Sequence, residues 1–162
     1  MATERWIAGT GEGLTWGSAF NSADINIASF ANNGAVMSSV LVANGTALDT
    51  FADISVNLAA ITTVAPAMLA FFLYPANQDA GPTYGDNQFT AGGYSATKVP
   101  GAPYWVGNIV FPVLTTTATY GMLRGIIMPP GSFYFVVQNQ SGATLATTGN
   151  TIAYRTYNLQ VT

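Results

Sequence analysis

Apolar residues recur along the chain in short runs, separated by clusters of Gly, Asn, Pro, Ser and Thr, and no stretch keeps a 3.6-residue period. Residues 52–58 show the clearest alternation, with Ala, Ile, Val and Leu at every second position, which predicts a strand buried on one face. The predicted strands are 36–43, 52–58, 68–74, 104–111, 113–120, 122–128, 133–137 and 151–161. We therefore predict an all-β protein, an antiparallel two-sheet jelly-roll sandwich of about eight strands.

The segment Met128–Phe133 carries the strongest local turn signal. Pro130 fixes φ and Gly131 permits a positive φ, as a type II turn requires. The sequence thus predicts a hairpin joining strands 122–128 and 133–137.

Residues 1–35 are predicted to form an N-terminal arm, with a short helix over 22–30, preceding a jelly-roll domain over 36–162. Trp6, Trp16 and Phe20 lie among glycines, where they have little core of their own to fill, and such aromatic residues often anchor interfaces. They are candidate partner-binding residues. The alternative is that the arm folds back as an additional strand of the same sandwich.

Residues 76–103 are predicted to form a long loop within the jelly-roll domain, and loops of this length are often functional. Its aromatic residues Tyr84, Phe89 and Tyr94 argue against plain disorder and are further candidates for binding a partner.

The same loop contains oxygen donors that could bind calcium: Asn77, Asp79, Asp86 and Asn87. The spacing of an EF-hand is absent, and Asx residues commonly form turns. We therefore favour a turn-forming role and predict neither a metal nor a cofactor.

The chain has few groups with which to do chemistry. It contains 4 Lys and Arg residues, 7 Asp and Glu residues, and no His or Cys among 162 residues. Most enzymes use ionisable groups as acids, bases, nucleophiles or metal ligands, so we predict that the protein is not an enzyme. So few cations cannot neutralise a row of phosphates, and no run suits a membrane span or an export signal. We predict neither a nucleic-acid nor a membrane partner.

Low charge combined with 49% hydrophobic residues indicates a surface covered by copies of the chain or by a larger body. A dimer or trimer is expected. Arg124, Arg155 and Asp53 lie in predicted strands and are candidates for ion pairs between subunits. The alternative is that they face solvent.

Several segments resemble the small jelly-roll cement, or decoration, proteins that coat the capsids of some tailed bacteriophages. They are DINIASFANNGAVMSSV (24–40), FADISVNL (51–58), FFLYPANQDAGPTYGD (71–86) and LRGIIMPPGSFYFVVQNQ (123–140). The resemblance implies a structural, non-enzymatic virion protein on the outer capsid surface, assembled in the host cytoplasm. Its partner would be the major capsid protein, whose neighbouring subunits it would clamp.

The main alternative is a receptor- or carbohydrate-binding β-sandwich of a phage fibre or tail tip. In that case aromatic residues would stack on sugars, namely Tyr84, Tyr94, Tyr104 and Trp105. A fibre protein normally carries a repetitive or coiled stalk, which this sequence lacks.

Overall fold

The computed structural model describes residues 4–8, 18–20, 25–38, 42–44, 48–62, 67–75, 94–95, 105–112, 114–115 and 117–161. These residues form β-strands, turns and bends, and they contain no helix. The strands are β1 (Glu4–Ala8), β2 (Ser18–Phe20), β3 (Ala35–Met37), β4 (Val42–Ala43), β5 (Phe51–Leu58), β6 (Ile61–Thr62), β7 (Ala67–Pro75), β8 (Tyr94–Ser95), β9 (Trp105–Phe111), β10 (Leu114–Thr115), β11 (Thr119–Ile127), β12 (Ser132–Gln140) and β13 (Thr151–Val161).

The longer strands form two antiparallel sheets. Sheet A has the order β1-β13-β5-β11, and β2 also pairs with β13. Sheet B has the order β8-β3-β12-β7-β9, and β4 also pairs with β12. The short strands β6 and β10 pair separately. The two sheets enclose one hydrophobic core, which confirms the prediction of an all-β, two-sheet antiparallel sandwich.

Alternation along β5 places its apolar residues in this core. Ala52, Ile54, Val56 and Leu58 are buried, as their period of two predicts. In β7 and β12, by contrast, nearly every residue is buried. The inward residues join the main core, and the outward residues form a second cluster with Ala35 and Met37 of β3. A near-continuous apolar run such as 68–74 is what a strand buried on both faces requires.

Two glycines allow the edge strands β9 and β11 to close one side of the sandwich. A Cβ atom on Gly121 would collide with Ile109, and one on Gly107 would lie 2.7 Å from a methyl carbon of Leu123. The absence of a side chain at these two positions lets one sheet edge approach the other this closely.

The predicted hairpin at 128–133 is wrong, because β11 belongs to sheet A and β12 to sheet B. The turn carries the chain from one sheet to the other. Tertiary bonds fix its course: the Met128 N–H donates to the Thr50 carbonyl, and the Pro129 carbonyl accepts from the Asn44 side chain. Gly131 does not adopt a positive φ, so the turn is not of type II.

The predicted boundaries change at two further places, and the count of eight strands is not confirmed. One strand, β11, covers most of the predicted strand 122–128 and the last two residues of the predicted strand 113–120, because Gly121 stays in the ladder opposite Val56. The predicted strand 36–43 is divided into β3 and β4. Ser38 follows β3, and its N–H and hydroxyl group bond to the backbone of Phe135.

The N-terminal segment contributes to the sandwich. Strands β1 and β2 pair with β13, which agrees with the alternative that this segment folds back as additional strand structure. The predicted helix does not form over 25–30, where the chain turns, with Ser29 at φ 51°. Burial of Ile25, Ile27 and Phe30 in the main core fixes this course, because tertiary packing outweighs a weak local helix preference. Within the predicted loop 76–103, the structure describes only β8, which pairs with β3.

Candidate partner-binding face

The face of sheet A that points away from the core is the candidate functional site, and we call it the outer face of sheet A. The register brings its residues side by side: on β5, β13 and β11 they are Phe51, Asp53, Ser55, Asn57, Thr151, Ala153, Arg155, Tyr157, Leu159, Tyr120, Met122 and Ile127. Along each strand these residues alternate with residues that face the core, such as Ile54, Ile152 and Leu123, as the pleat of a sheet requires.

Large apolar side chains are exposed on this face. Tyr120 is 76% exposed and Ile127 73%, while Met122 and Leu159 are each about two-fifths exposed. Phe51 and Tyr157 stack between them, with ring centroids 5.7 Å apart. Exposed apolar groups gathered on one face of a folded protein are typical of an interaction surface.

A carboxylate lies buried within this face. Asp53 is only 3% exposed, although it occupies the outward side of β5. Its Oδ2 accepts hydrogen bonds from Nε and Nη2 of Arg155, and the Nη2 distance is 2.8 Å. Its Oδ1 accepts from the Tyr157 hydroxyl group and from the Gly125 N–H, both at 3.0 Å.

Gly125 reaches the carboxylate because β11 bulges at this point. The register with β5 shifts between Leu123 and Ile126, and Gly125 has a φ of +69°. A glycine in the left-handed region is a common solution at a β-bulge, and here it directs a backbone donor at a buried charge.

Burial alone would raise the pKa of Asp53, but the hydrogen bonds from Arg155, Gly125 and Tyr157 and the positive charge of Arg155 together lower it. Burial also raises the pKa of Tyr157, and its hydrogen bond to the Asp53 carboxylate raises that pKa further. The carboxylate therefore stays ionised and the phenol neutral at ordinary pH. The network has no unused acid or base to offer to a reaction.

Four residues further along β5, Asn57 has a side-chain oxygen that is buried and has no hydrogen-bond partner. It borders a shallow cleft of about 460 Å³ lined by Ser55, Val56, Asn57, Tyr120, Gly121, Met122 and Thr151. The cleft contains hydroxyl, amide and thioether groups and no charge, so it suits a neutral surface or molecule.

The structure brings together two of the three predicted ion-pair residues. Arg155 and Asp53 are direct partners across β13 and β5 of the same chain, which corrects the prediction of a pair between subunits. Asp53 is not solvent-facing either, because Arg155, Tyr157 and the bulge cover it. Arg124 is exposed, and its Nε donates to the sulfur of Met122 at 2.7 Å.

The predicted aromatic contacts are located only in part. Trp6 lies in β1 opposite Leu159, Phe20 lies in β2 opposite Ile152, and Tyr94 lies in β8 opposite Val36. Trp16, Tyr84 and Phe89 lie outside the described residues, as do the calcium-binding candidates at 77–87.

Sequence reasoning missed the most exposed apolar residues of the outer face, Tyr120 and Ile127. The signal that could have found them is the alternation itself, because the positions opposite the outward residues of β5 must share their face. Using this signal requires knowing that β11 pairs with β5. The incorrect hairpin prediction paired that segment with 133–137 instead.

A second apolar groove lies at one end of the sandwich. Its lining consists of Leu73, Pro75, Trp105, Val106, Ile127, Met128, Pro129 and Pro130. Trp105 is about half exposed, and its indole N–H donates to the Asn108 side chain at 2.9 Å, which fixes the ring.

Within the described part of the chain, no group of three or more acidic, His or Cys side chains is placed to bind a metal ion. The described residues include no helix long and apolar enough to cross a membrane. A scan against protein-family models finds no match for this chain, and a search of curated protein sequences finds none either.

Proposed function

We propose that this protein is a structural virion protein that decorates and cements the outside of a tailed-phage capsid. The observation that carries the proposal is the exposure of large apolar side chains on both sheets: Tyr120 and Ile127 on sheet A, and Trp105 and Val110 on sheet B. A protein with apolar surface on two sides is suited to lie between other proteins, as a clamp does.

The strand pairing supports a jelly roll as the finer description of the sandwich. Strands pair in a nested order: β1 and β2 with β13, β3 with β12, β5 with β11, and β7 with β9. A jelly roll is a long antiparallel hairpin rolled up into two sheets, and it produces this nesting of first with last. Its core would have eight strands if β1 and β2 count as one and the shortest strands are set aside.

The chemistry of the described acidic residues supports a non-enzymatic role. Asp53 is occupied by Arg155, Tyr157 and Gly125, and Asp49 is buried and accepts a hydrogen bond from Asn158. Neither is free to act as a general acid or base, because catalytic carboxyl groups must reach a substrate.

In this proposal the partner is the major capsid protein. The candidate contacts are Trp6, Trp16, Phe20, Tyr84, Phe89 and Tyr94, together with the exposed residues Trp105 and Val110 of sheet B. Neutral surfaces of this kind bind through apolar area and backbone-type hydrogen bonds, so attachment should depend only weakly on salt.

The test is to compare capsids with and without the protein. A ligand that binds the assembled shell stabilises it by mass action, and many copies multiply a small effect. Stripped particles should release their genome at a lower temperature than decorated ones, and adding back the purified protein should restore the difference. Equal release temperatures would exclude cementing.

The fixed, exposed indole of Trp105 favours one second candidate, a carbohydrate-binding module of a fibre or tail tip, because sugars stack on such rings. Copy number separates the two functions. Hundreds of copies per particle indicate cement, whereas a few dozen or fewer indicate a fibre.

A further inference from the structure

We propose that two copies of this chain pack face to face through the outer face of sheet A, forming a two-fold symmetric dimer. This inference does not depend on attachment to a capsid. It identifies the surface of self-association and the residues that carry it.

The first argument is chemical. Exposed apolar groups lie on β11 and β13, where Ile127 and Tyr120 are about three-quarters accessible and Met122 and Leu159 about two-fifths. The paired charges of Asp53 and Arg155 neutralise each other within the face. Among the described side chains, Arg124 is the one exposed charge on or beside it.

The second argument is complementarity. A face of apolar and uncharged polar groups, whose two charges are paired with each other, needs a partner surface without net charge, because an opposing charge would lose its hydration without gaining a counter-ion. A second copy presents such a surface by definition. A two-fold axis through the middle of the face, near Ser55 and Ala153, would lay the apolar ends of each copy over the other.

The third argument is size. With about 4.8 Å between strands and about 3.4 Å per residue, β1, β13, β5 and β11 cover roughly 540 Å², or roughly 1,100 Å² for two copies. Specific interfaces begin at roughly 1,000 Å² of total buried area. The face is thus large enough for a reversible dimer, and sheets packed in this way lie about 10 Å apart.

The matched variants are Ile127→Asp on this face and Val110→Asp on β9 of sheet B. Both positions carry an exposed β-branched residue, at 73% and 67% exposure, so neither substitution should disturb the core. We expect sedimentation equilibrium to show a concentration-dependent dimer for the unaltered protein. Ile127→Asp should weaken that dimer by at least about tenfold, whereas Val110→Asp should leave it unchanged.

A second measurement uses the absence of cysteine from the sequence. A single Ser55→Cys substitution places one thiol near the expected axis, and a short bismaleimide should cross-link two copies there. Val110→Cys is the control that should stay uncross-linked. Strong cross-linking at 110 with none at 55 would overturn the proposal.

Two further outcomes separate this proposal from the proposed function. If the unaltered protein is monomeric up to about 100 µM, and Ile127→Asp abolishes its attachment to capsids, the face binds the shell and the dimer is excluded. If Ile127→Asp produces a folded monomer that still coats capsids, the dimer is supported and the shell binds elsewhere.

Discussion

Arg155 and Asp53 lie directly opposite each other on β13 and β5, and the guanidinium Nη2 is 2.8 Å from the carboxylate Oδ2. This pair is the only salt bridge formed among the described residues, and it joins β13 to β5. The same carboxylate also holds the bulge of β11 through the Gly125 N–H.

Replacing Asp53 by Asn should destabilise the protein. The amide keeps the shape of the side chain but removes the charge that Arg155 and Tyr157 bond, and one hydrogen bond to a charged group contributes about 1.5–3 kcal/mol. We expect a loss of about 2–3 kcal/mol in the free energy of unfolding, measured by urea denaturation. Arg124→Gln is the control, and its effect should stay within about 0.5 kcal/mol.

The contribution of Asp53 should disappear in acid. Its pKa is lower in the folded chain than in the unfolded chain, so the stabilisation is complete above the unfolded pKa of about 4 and declines as pH falls through the folded pKa. The difference in unfolding free energy between Asp53→Asn and the unaltered protein should therefore shrink below about pH 4. A difference that grows in acid would contradict the assigned direction.

Replacing Gly125 by Ala should cost about 1–2 kcal/mol. The site has space for a methyl group, so the cost comes from the positive φ alone. Gly131→Ala is the matched control, because Gly131 is also uncrowded but has no positive φ. It should be neutral or slightly stabilising. Equal losses for both variants would show that the bulge is not the source.

Replacing Gly121 by Ala should separate the edges of β9 and β11. The added methyl group meets Ile109 and Phe111, and overpacking of this kind typically costs about 1–3 kcal/mol. A double-mutant cycle with Ile109→Ala tests the contact. The double variant should lose less unfolding free energy than the sum of the two single variants. Additive losses would contradict direct contact.

Replacing Asn139 by Asp should be among the most damaging single-atom changes. Its amide donates to the carbonyls of Phe30 and Ala143 from a fully buried position, and Asp would put an acceptor and a charge there. We expect a loss of at least about 3 kcal/mol. The control is Asn32→Asp, which retains the side-chain oxygen that accepts from the Gly142 N–H. Its unfolding free energy should therefore fall only slightly.

The sequence predicts those features of the fold that depend on local periodicity. The alternation of 52–58 identifies the inward side of β5, and the apolar run before Pro75 identifies a strand buried on both faces. It does not predict the partner of each strand, because turn residues such as Pro130 and Gly131 serve a hairpin and a sheet-to-sheet crossing equally well.

In the candidate site, too, the sequence predicts what local periodicity determines but not what long-range contacts determine. The pattern places Asp53 on the polar side of its strand, where a solvent-exposed charge is the ordinary expectation. Its burial depends on Arg155 and Tyr157, about a hundred positions away, and on a bulge at Gly125. Contacts of this range leave no periodic signal in the sequence.

The nested pairing also determines when each sheet can form during synthesis of the chain. Sheet A has β13 between β1 and β5, and sheet B has β12 between β3 and β7, so the strands that join each sheet are the two made after all the others. Before residue 132 is synthesised, β5 can already pair with β11 and β7 with β9, but no strand yet links these pairs to β1 or β3, and long-range β pairing is slow even afterwards. Neither sheet can therefore be completed before β12 and β13 have been synthesised.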